Sequence, residues 1–211
     1  MLTWLYTWKL SREVSRGKVP EHIVLVLSEA DILSPRGVER TRRFIEWCNQ
    51  VQISTITIYV SVIPIRQEEI ITEVRQKITR KLAELPFNIN IYTFQGVEKL
   101  KEGYPAILNV SIGYNGKLEL VEAFRGILRR VKKGELEPGD IDSNVIESHL
   151  LFKGEPDLVI RSGGKNLTDF LIWQSVYSEL YFTEINWTDF TRVDFLRAVR
   201  DYQKRKRRYG R

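Results

Sequence analysis

The chain has 211 residues, 43% of them hydrophobic, and 33 Lys and Arg against 27 Asp and Glu, for a net charge of +6. This is the length of one domain with enough apolar residues for a core, which excludes a disordered or fibrous chain. The single cysteine, Cys48, excludes a disulfide framework and fits a reducing cytoplasm, no apolar run reaches the length of a membrane span, and the short aromatic start does not read as a secretion signal.

Leu2, Leu5, Tyr6 and Leu10 recur at helical spacing with Trp4 and Trp8 beside them, so residues 2–16 predict an amphipathic helix ending at Gly17. Packing on the body or on a partner is the preferred reading, with peripheral membrane contact left open. Residues 1–18 are therefore read as a helical arm on a single domain, 19–211. HIVLVL is a short apolar run suited to a strand buried on both faces. Pro35–Gly37 opens a helix through Trp47, and ISTITIYVSVI is the next strand, ended by Pro64. Residues 66–84 form a charged helix, FNINIYTF a third strand and AILNVSIGY a fourth. Helices follow at 118–133 and 142–151, then strands at DLVIR and ELYFTEI, and a last helix over 190–208. Strands alternating with helices predict an α/β domain, its mostly parallel six-stranded sheet flanked by helices on both faces.

Ligands of such sheets gather beyond the carboxyl ends of the strands. After DLVIR come Arg161, Ser162, Gly163 and Gly164. Glycine lets backbone N–H groups approach an anion, and arginine offers phosphate two parallel hydrogen bonds. A tight turn with a surface arginine explains the same four residues equally well. After HIVLVL, Ser28, Glu29 and Asp31 are candidate ligands without a glycine-rich cradle. Ser61–Pro64 is chemically inert, and Tyr114–Lys117 reads as a plain turn. His22 and His149 have no Ser or Cys partner at a recognisable spacing and read as packing or capping residues. No residue pattern marks an intrinsic metal site. The excess of charge is concentrated from Arg192 to Arg211, which suggests a polyanionic partner.

Taken together, REVSRGKVPEHIVLVL, FIEWC, ITIYV, LNVSIGYNGKLELV, GELEPGDID, PDLVIRSGG, FLIWQSVYSELYF and RRYG resemble the cis-prenyltransferases, the family of undecaprenyl diphosphate synthase. The resemblance implies that family's fold, and condensation of isopentenyl diphosphate onto an allylic diphosphate with magnesium, in a dimer whose subunits enclose a hydrophobic tunnel. It also implies roles for individual residues. Arg161 matches an arginine that grips isopentenyl diphosphate, Thr168 a phosphate-binding serine, and Glu179 a carboxylate near the metal. Ser162, Gly163 and Gly164 complete the residual isopentenyl diphosphate or anion site. Arg208 and Gly210 match a terminal Arg-x-Gly that reaches the diphosphate of the neighbouring subunit.

Three departures from the family pattern change the expectation. The family follows its first strand with Met-Asp-Gly-Asn-x-Arg, whereas here Ser28 stands at the catalytic Asp position and the phosphate loop is shorter. Of a following Gly-His pair only Gly37 remains. The family's Ser-x-Glu-Asn has become Val62–Ile63–Pro64–Ile65. The second phosphate arginine also has no match, with Lys165 nearby as a partial replacement. The resemblance therefore implies a non-catalytic, activating subunit of a heteromeric cis-prenyltransferase, of the Nogo-B receptor kind but without a membrane span. Its catalytic partner would hold Mg2+, and isopentenyl diphosphate and the allylic diphosphate would bind in the complex to make a polyprenyl diphosphate, a precursor of lipid glycan carriers. Nucleic acid is not an expected partner. The alternatives are an active homodimer with an unusual metal site on Glu29 or Asp31, and a module that binds diphosphate or an anionic surface.

Overall fold

A computed structural model describes residues 2–63, 65, 67–164 and 171–205. Helix α1 (Leu2–Val14) precedes β1 (His22–Ser28), α2 (Glu29–Leu33), α3 (Gly37–Gln50), β2 (Thr55–Ser61) and α4 (Gln67–Leu82). Then come β3 (Asn88–Thr93), β4 (Gly96–Lys101), β5 (Ile107–Ile112), α5 (Gly116–Lys132), α6 (Ser143–His149), β6 (Leu158–Ser162), β7 (Glu179–Thr183) and α7 (Arg192–Lys204). Among the described residues the strands form one sheet in the order β4-β3-β5-β2-β1-β6-β7, parallel except for β4.

The expected six strands are therefore seven. The additional one, GVEKLK, pairs antiparallel with β3 at the sheet edge and is largely exposed. Edge strands carry charge that discourages further pairing, and here that charge hides the strand from a hydrophobicity pattern. Residues 29–33, assigned to no element in the sequence, form the short helix α2.

Side chains alternate across the sheet, so each central strand feeds two cores. On one face Ile23, Leu25 and Leu27, with Ile56, Ile58 and Val60, pack under α1, α3, α4 and α7. On the other, Val24, Val26, Tyr59 and Val159 meet Tyr114, Phe152 and Leu171, and α5 covers this side through Leu118. Phe44, Trp187, Phe190 and Phe195 form an aromatic corner, with Phe44 meeting the other three rings edge-on. Trp187 Nε1 donates to the carbonyl of Gly37 at 3.2 Å. Gly37 itself is obligatory, because a Cβ there would lie 1.9 Å from the Asp31 carbonyl oxygen.

Both histidines act as packing or capping residues. His149 Nδ1 lies 2.8 Å from the carbonyl of Val145 within its own helix. His22 Nε2 lies 2.9 Å from Thr57 Oγ1, and burial pushes the His22 pKa down to about 4 despite the nearby Asp157 carboxylate. An unfolded histidine takes up its proton near pH 6.5, so the native state is penalised as pH falls from there towards 4 and is free of the penalty above it. The limit is roughly 3 kcal/mol, from about 1.4 kcal/mol per pKa unit. We expect His22→Gln, which keeps a polar partner for Thr57, to flatten the fall in stability between pH 6.5 and 4. Urea titrations across that range measure it, and an equally steep fall in the variant would assign the acid sensitivity elsewhere.

Candidate functional site

The carboxyl ends of β6, β1 and β2 lie side by side. Val26 is level with Arg161, and Ser28 is level with Ser61. Alternation puts Ser28, Ser61 and Arg161 on the same face, the one that α5 covers. Two segments that are far apart in the chain, SEAD and RSGG, are thus brought to one edge of the sheet.

Arg161 is the unusual group there. Its Nε and Nη1 are buried and have no hydrogen-bond partner among the described residues. The Nε lies 4.0 Å from where a Cβ on Gly164 would sit, so the guanidinium lies close to the glycine loop. Gly163 adopts φ +72°, a left-handed conformation that glycine takes without strain, and its N–H donates to the Thr183 carbonyl at 3.0 Å. Ser162 is committed to structure, donating to the Ile185 carbonyl at 2.6 Å. Two buried guanidinium N–H groups without partners are costly, and an anion that accepts both removes that cost. The arrangement is suited to binding a phosphate oxygen pair.

The end of β1 is built differently. Ser28 caps α2: its hydroxyl donates to Asp31 Oδ2 at 2.7 Å, its N–H donates to the same oxygen at 2.8 Å, and its Oγ accepts from the Asp31 N–H at 3.2 Å. Glu29 Oε2 accepts the Ile63 N–H at 2.9 Å. Both carboxylates are thus drawn into holding the local backbone, and Ser28 offers only a neutral hydroxyl. Magnesium demands several hard oxygen donors in near-octahedral array. These residues do not fit it.

Glu179 is not brought to Arg161. It opens β7 beside Leu158, three residues before the level of Arg161, or about 10 Å along the strand, and on the opposite face. There it pairs with Arg205 at 2.9 Å. The residues Lys165, Thr168, Arg208 and Gly210 lie outside the described residues.

Sequence reasoning missed a buried carboxylate on the α5 side. Glu119 accepts the N–H groups of Leu151 and Phe152 at 2.8 and 2.7 Å, and the Gln174 amide at 2.9 Å. Burial nevertheless raises its pKa, outweighing those bonds. Glu119 ties α5 to the segments on either side of β6. Nothing in the sequence sets it apart from the exposed glutamates of an amphipathic helix. Tyr114–Lys117 is also more than a plain turn. Tyr114 is buried, with its pKa pushed up to about 12 by desolvation, and Asn115 caps α5 by accepting the Leu118 N–H at 2.9 Å.

Residues 63–210 match the family model described as "Putative undecaprenyl diphosphate synthase". The chain is 33% identical to a tritrans,polycis-undecaprenyl-diphosphate synthase (geranylgeranyl-diphosphate specific) of Methanocaldococcus jannaschii, over 98% of this chain and 88% of that protein. It is 32% identical to an isoprenyl transferase of Thermus thermophilus, over 100% of this chain and 96% of that one. The latter alignment runs over 252 positions against 211 residues here, so about 41 positions of that relative face no residue of this chain. Among solved structures, lavandulyl diphosphate synthase from Lavandula x intermedia superposes with a TM-score of 0.73 at 22% identity, covering 92% of this chain and 99% of that chain. A probable undecaprenyl diphosphate synthase from Campylobacter jejuni gives 0.73 at 20%, covering 92% and 100%. At those identities the two structures speak for the fold.

Proposed function

Because this chain belongs to the undecaprenyl diphosphate synthase family, the cis-prenyltransferases, we propose that it serves as the non-catalytic subunit of a heteromeric enzyme. That enzyme condenses isopentenyl diphosphate onto an allylic diphosphate to make a polyprenyl diphosphate. The observation that carries the reading is the end of β1, where Ser28 and Asp31 close a helix cap on each other. The partner would supply the metal-binding carboxylate, Mg2+ and the phosphate loop. This chain would supply Arg208 and Gly210 to the partner's diphosphate, and would keep at Arg161 a site for isopentenyl diphosphate or a similar anion.

Pairing is supported by an apolar stripe on α5. Val121, Phe124 and Leu128 share its outer face and are exposed, Leu128 by 63%. Ile172, Val176 and Tyr177 are exposed as well, in a segment that packs against the start of α5 at Gly116. Apolar surface of this kind is suited to a subunit interface.

A second reading, an active enzyme that pairs with itself, is the one the relatives favour, since those described above are named as synthases and transferases. Incorporation of labelled isopentenyl diphosphate onto farnesyl diphosphate with magnesium separates the two readings. We expect silence from the chain alone and turnover once it is co-purified with a homologue that carries the Asp. In that complex Arg208→Ala should lower turnover roughly ten- to a hundred-fold with the assembly intact, the cost of one charge-assisted hydrogen bond. Turnover by the chain alone would establish the second reading instead.

A further inference from the structure

Helix α1 has two different faces. One is fixed to α7: Leu10 and Val14 are buried, the Val14 carbonyl accepts from Gln203 Nε2 at 2.8 Å, and Glu13 lies 3.7 Å from Arg200. Tyr6 accepts from Arg197 Nε at 3.4 Å and lies under the same guanidinium. At 100° per residue the opposite face carries Trp4, Leu5, Trp8, Lys9 and Arg12, with Arg16 in the turn that follows. Trp4 is 68% exposed, Leu5 52% and Trp8 53%, on the side of the molecule away from the α5 stripe. Burying such side chains normally repays a chain, so two tryptophans and a leucine held in water on a packed helix call for an occupant.

The charges identify that occupant. Residues 4–18 hold four cations, Lys9, Arg12, Arg16 and Lys18, and one acid, Glu13, which faces Arg200. The outer face is thus aromatic and aliphatic in its first half and cationic in its second. The Arg12 guanidinium lies 5.4 Å from the Trp8 ring, so the two characters meet. Indole rings prefer the boundary between headgroups and acyl chains, and arginine and lysine meet the phosphates above it. A protein surface would have to offer an apolar pocket and a ring of acids at matching places, whereas an anionic bilayer offers both everywhere. Among the described residues no helix is long and apolar enough to cross a membrane, so the contact lies in the plane of the interface.

We propose that the outer face of α1 docks this protein onto anionic lipid surfaces, with Trp4, Leu5 and Trp8 inserted and Lys9, Arg12 and Arg16 against the phosphates. The contacts of Tyr6 with Arg197 and of Val14 with Gln203 show that α1 and α7 run parallel. The aromatic end of α1 therefore points towards the strand ends that carry Arg161. The docking rests on this face alone and does not depend on the prenyltransferase reading.

The test is flotation of the full chain with vesicles of phosphatidylcholine, with and without 30% phosphatidylglycerol (about a third anionic, as a probe composition). We expect capture by the anionic vesicles only, a blue shift of tryptophan emission, and release by salt. Trp4→Ser with Trp8→Ser should reduce capture at least about tenfold, and Lys9→Glu with Arg12→Glu should do the same. The second pair lies on an exposed surface and guards against a folding defect in the first; melting curves check both. Capture that survives both pairs would locate the lipid contact elsewhere, in the basic C-terminus for instance, and overturn the proposal. So would a failure of the native chain to float, or a change of oligomeric state in the tryptophan variant, which would make the face a contact between copies of this chain.

Discussion

The Arg161→Met chain is expected to melt at a higher temperature than the native chain in plain buffer and to gain nothing from added inorganic diphosphate. In the folded chain Nε and Nη1 of Arg161 have no partner among the described residues and almost no water-accessible surface, whereas in the unfolded chain they are hydrated. A charged group in that position opposes folding, and methionine fills the volume of the arginine stem without a polar atom. Diphosphate should reverse the order, because it binds only the native chain and raises its melting temperature by mass action. Two charge-assisted hydrogen bonds at about 1.5–3 kcal/mol each imply at least hundred-fold weaker binding once the guanidinium is gone. Arg161→Lys should fall between, since it keeps the charge and loses the fork. Thermal melts over a diphosphate titration read all three. If Arg161→Met melted lower and still responded fully to diphosphate, Arg161 would be a packing residue and the anion site would lie elsewhere.

Trp187→Ala should cost the largest share of stability, about 3–5 kcal/mol, as expected for deleting a fully buried large aromatic side chain. Trp187 is 0% exposed and lies 5.9 Å from the Phe44 ring and 5.3 Å from that of Phe190. Its Nε1 also holds the first carbonyl of α3 at Gly37, and Gly37 sits against the backbone of α2. Trp187→Phe should cost about 1–3 kcal/mol, since it keeps most of the ring packing but loses the indole hydrogen bond, leaving the Thr41 hydroxyl at 2.9 Å as the side-chain donor to the Gly37 carbonyl. Urea unfolding of the three chains measures this. Equal losses for Ala and Phe would mean that the hydrogen bond, not the packing, secures the corner. This is also why the edge near Ser28 depends on a residue so far along the chain.

Much of the fold was legible before any coordinates. HIVLVL is a continuous apolar run of strand length, and TITIYV and LNVSI are short β-branched-rich segments between turn signals; such a pattern suits a sheet covered on both faces, which is what β1, β2 and β5 form. The turn chemistry was legible in part: Gly163 stands where a left-handed residue is needed, and Ser28 and Asp31 have the spacing of a capping box. That spacing was nonetheless read as a set of ligands, because sequence spacing alone does not distinguish a carboxylate that caps from one that coordinates.

The residue types themselves determined that the end of β1 carries a serine hydroxyl, with Glu29 and Asp31 after it, and that an arginine and two glycines close β6. No packing can turn that hydroxyl into a charged group. Tertiary structure alone decided which of these groups meet. Ser28 and Arg161 share an edge because β1 and β6 are neighbours, and Glu179 does not join them because strand register and alternation put it about 10 Å away on the other face. Burial, too, was decided only there. A glutamate in a helix and an arginine at a strand end look alike in any sequence until the chain folds over them. Here folding surrounded Glu119 with donors and left Nε and Nη1 of Arg161 without an acceptor among the described residues.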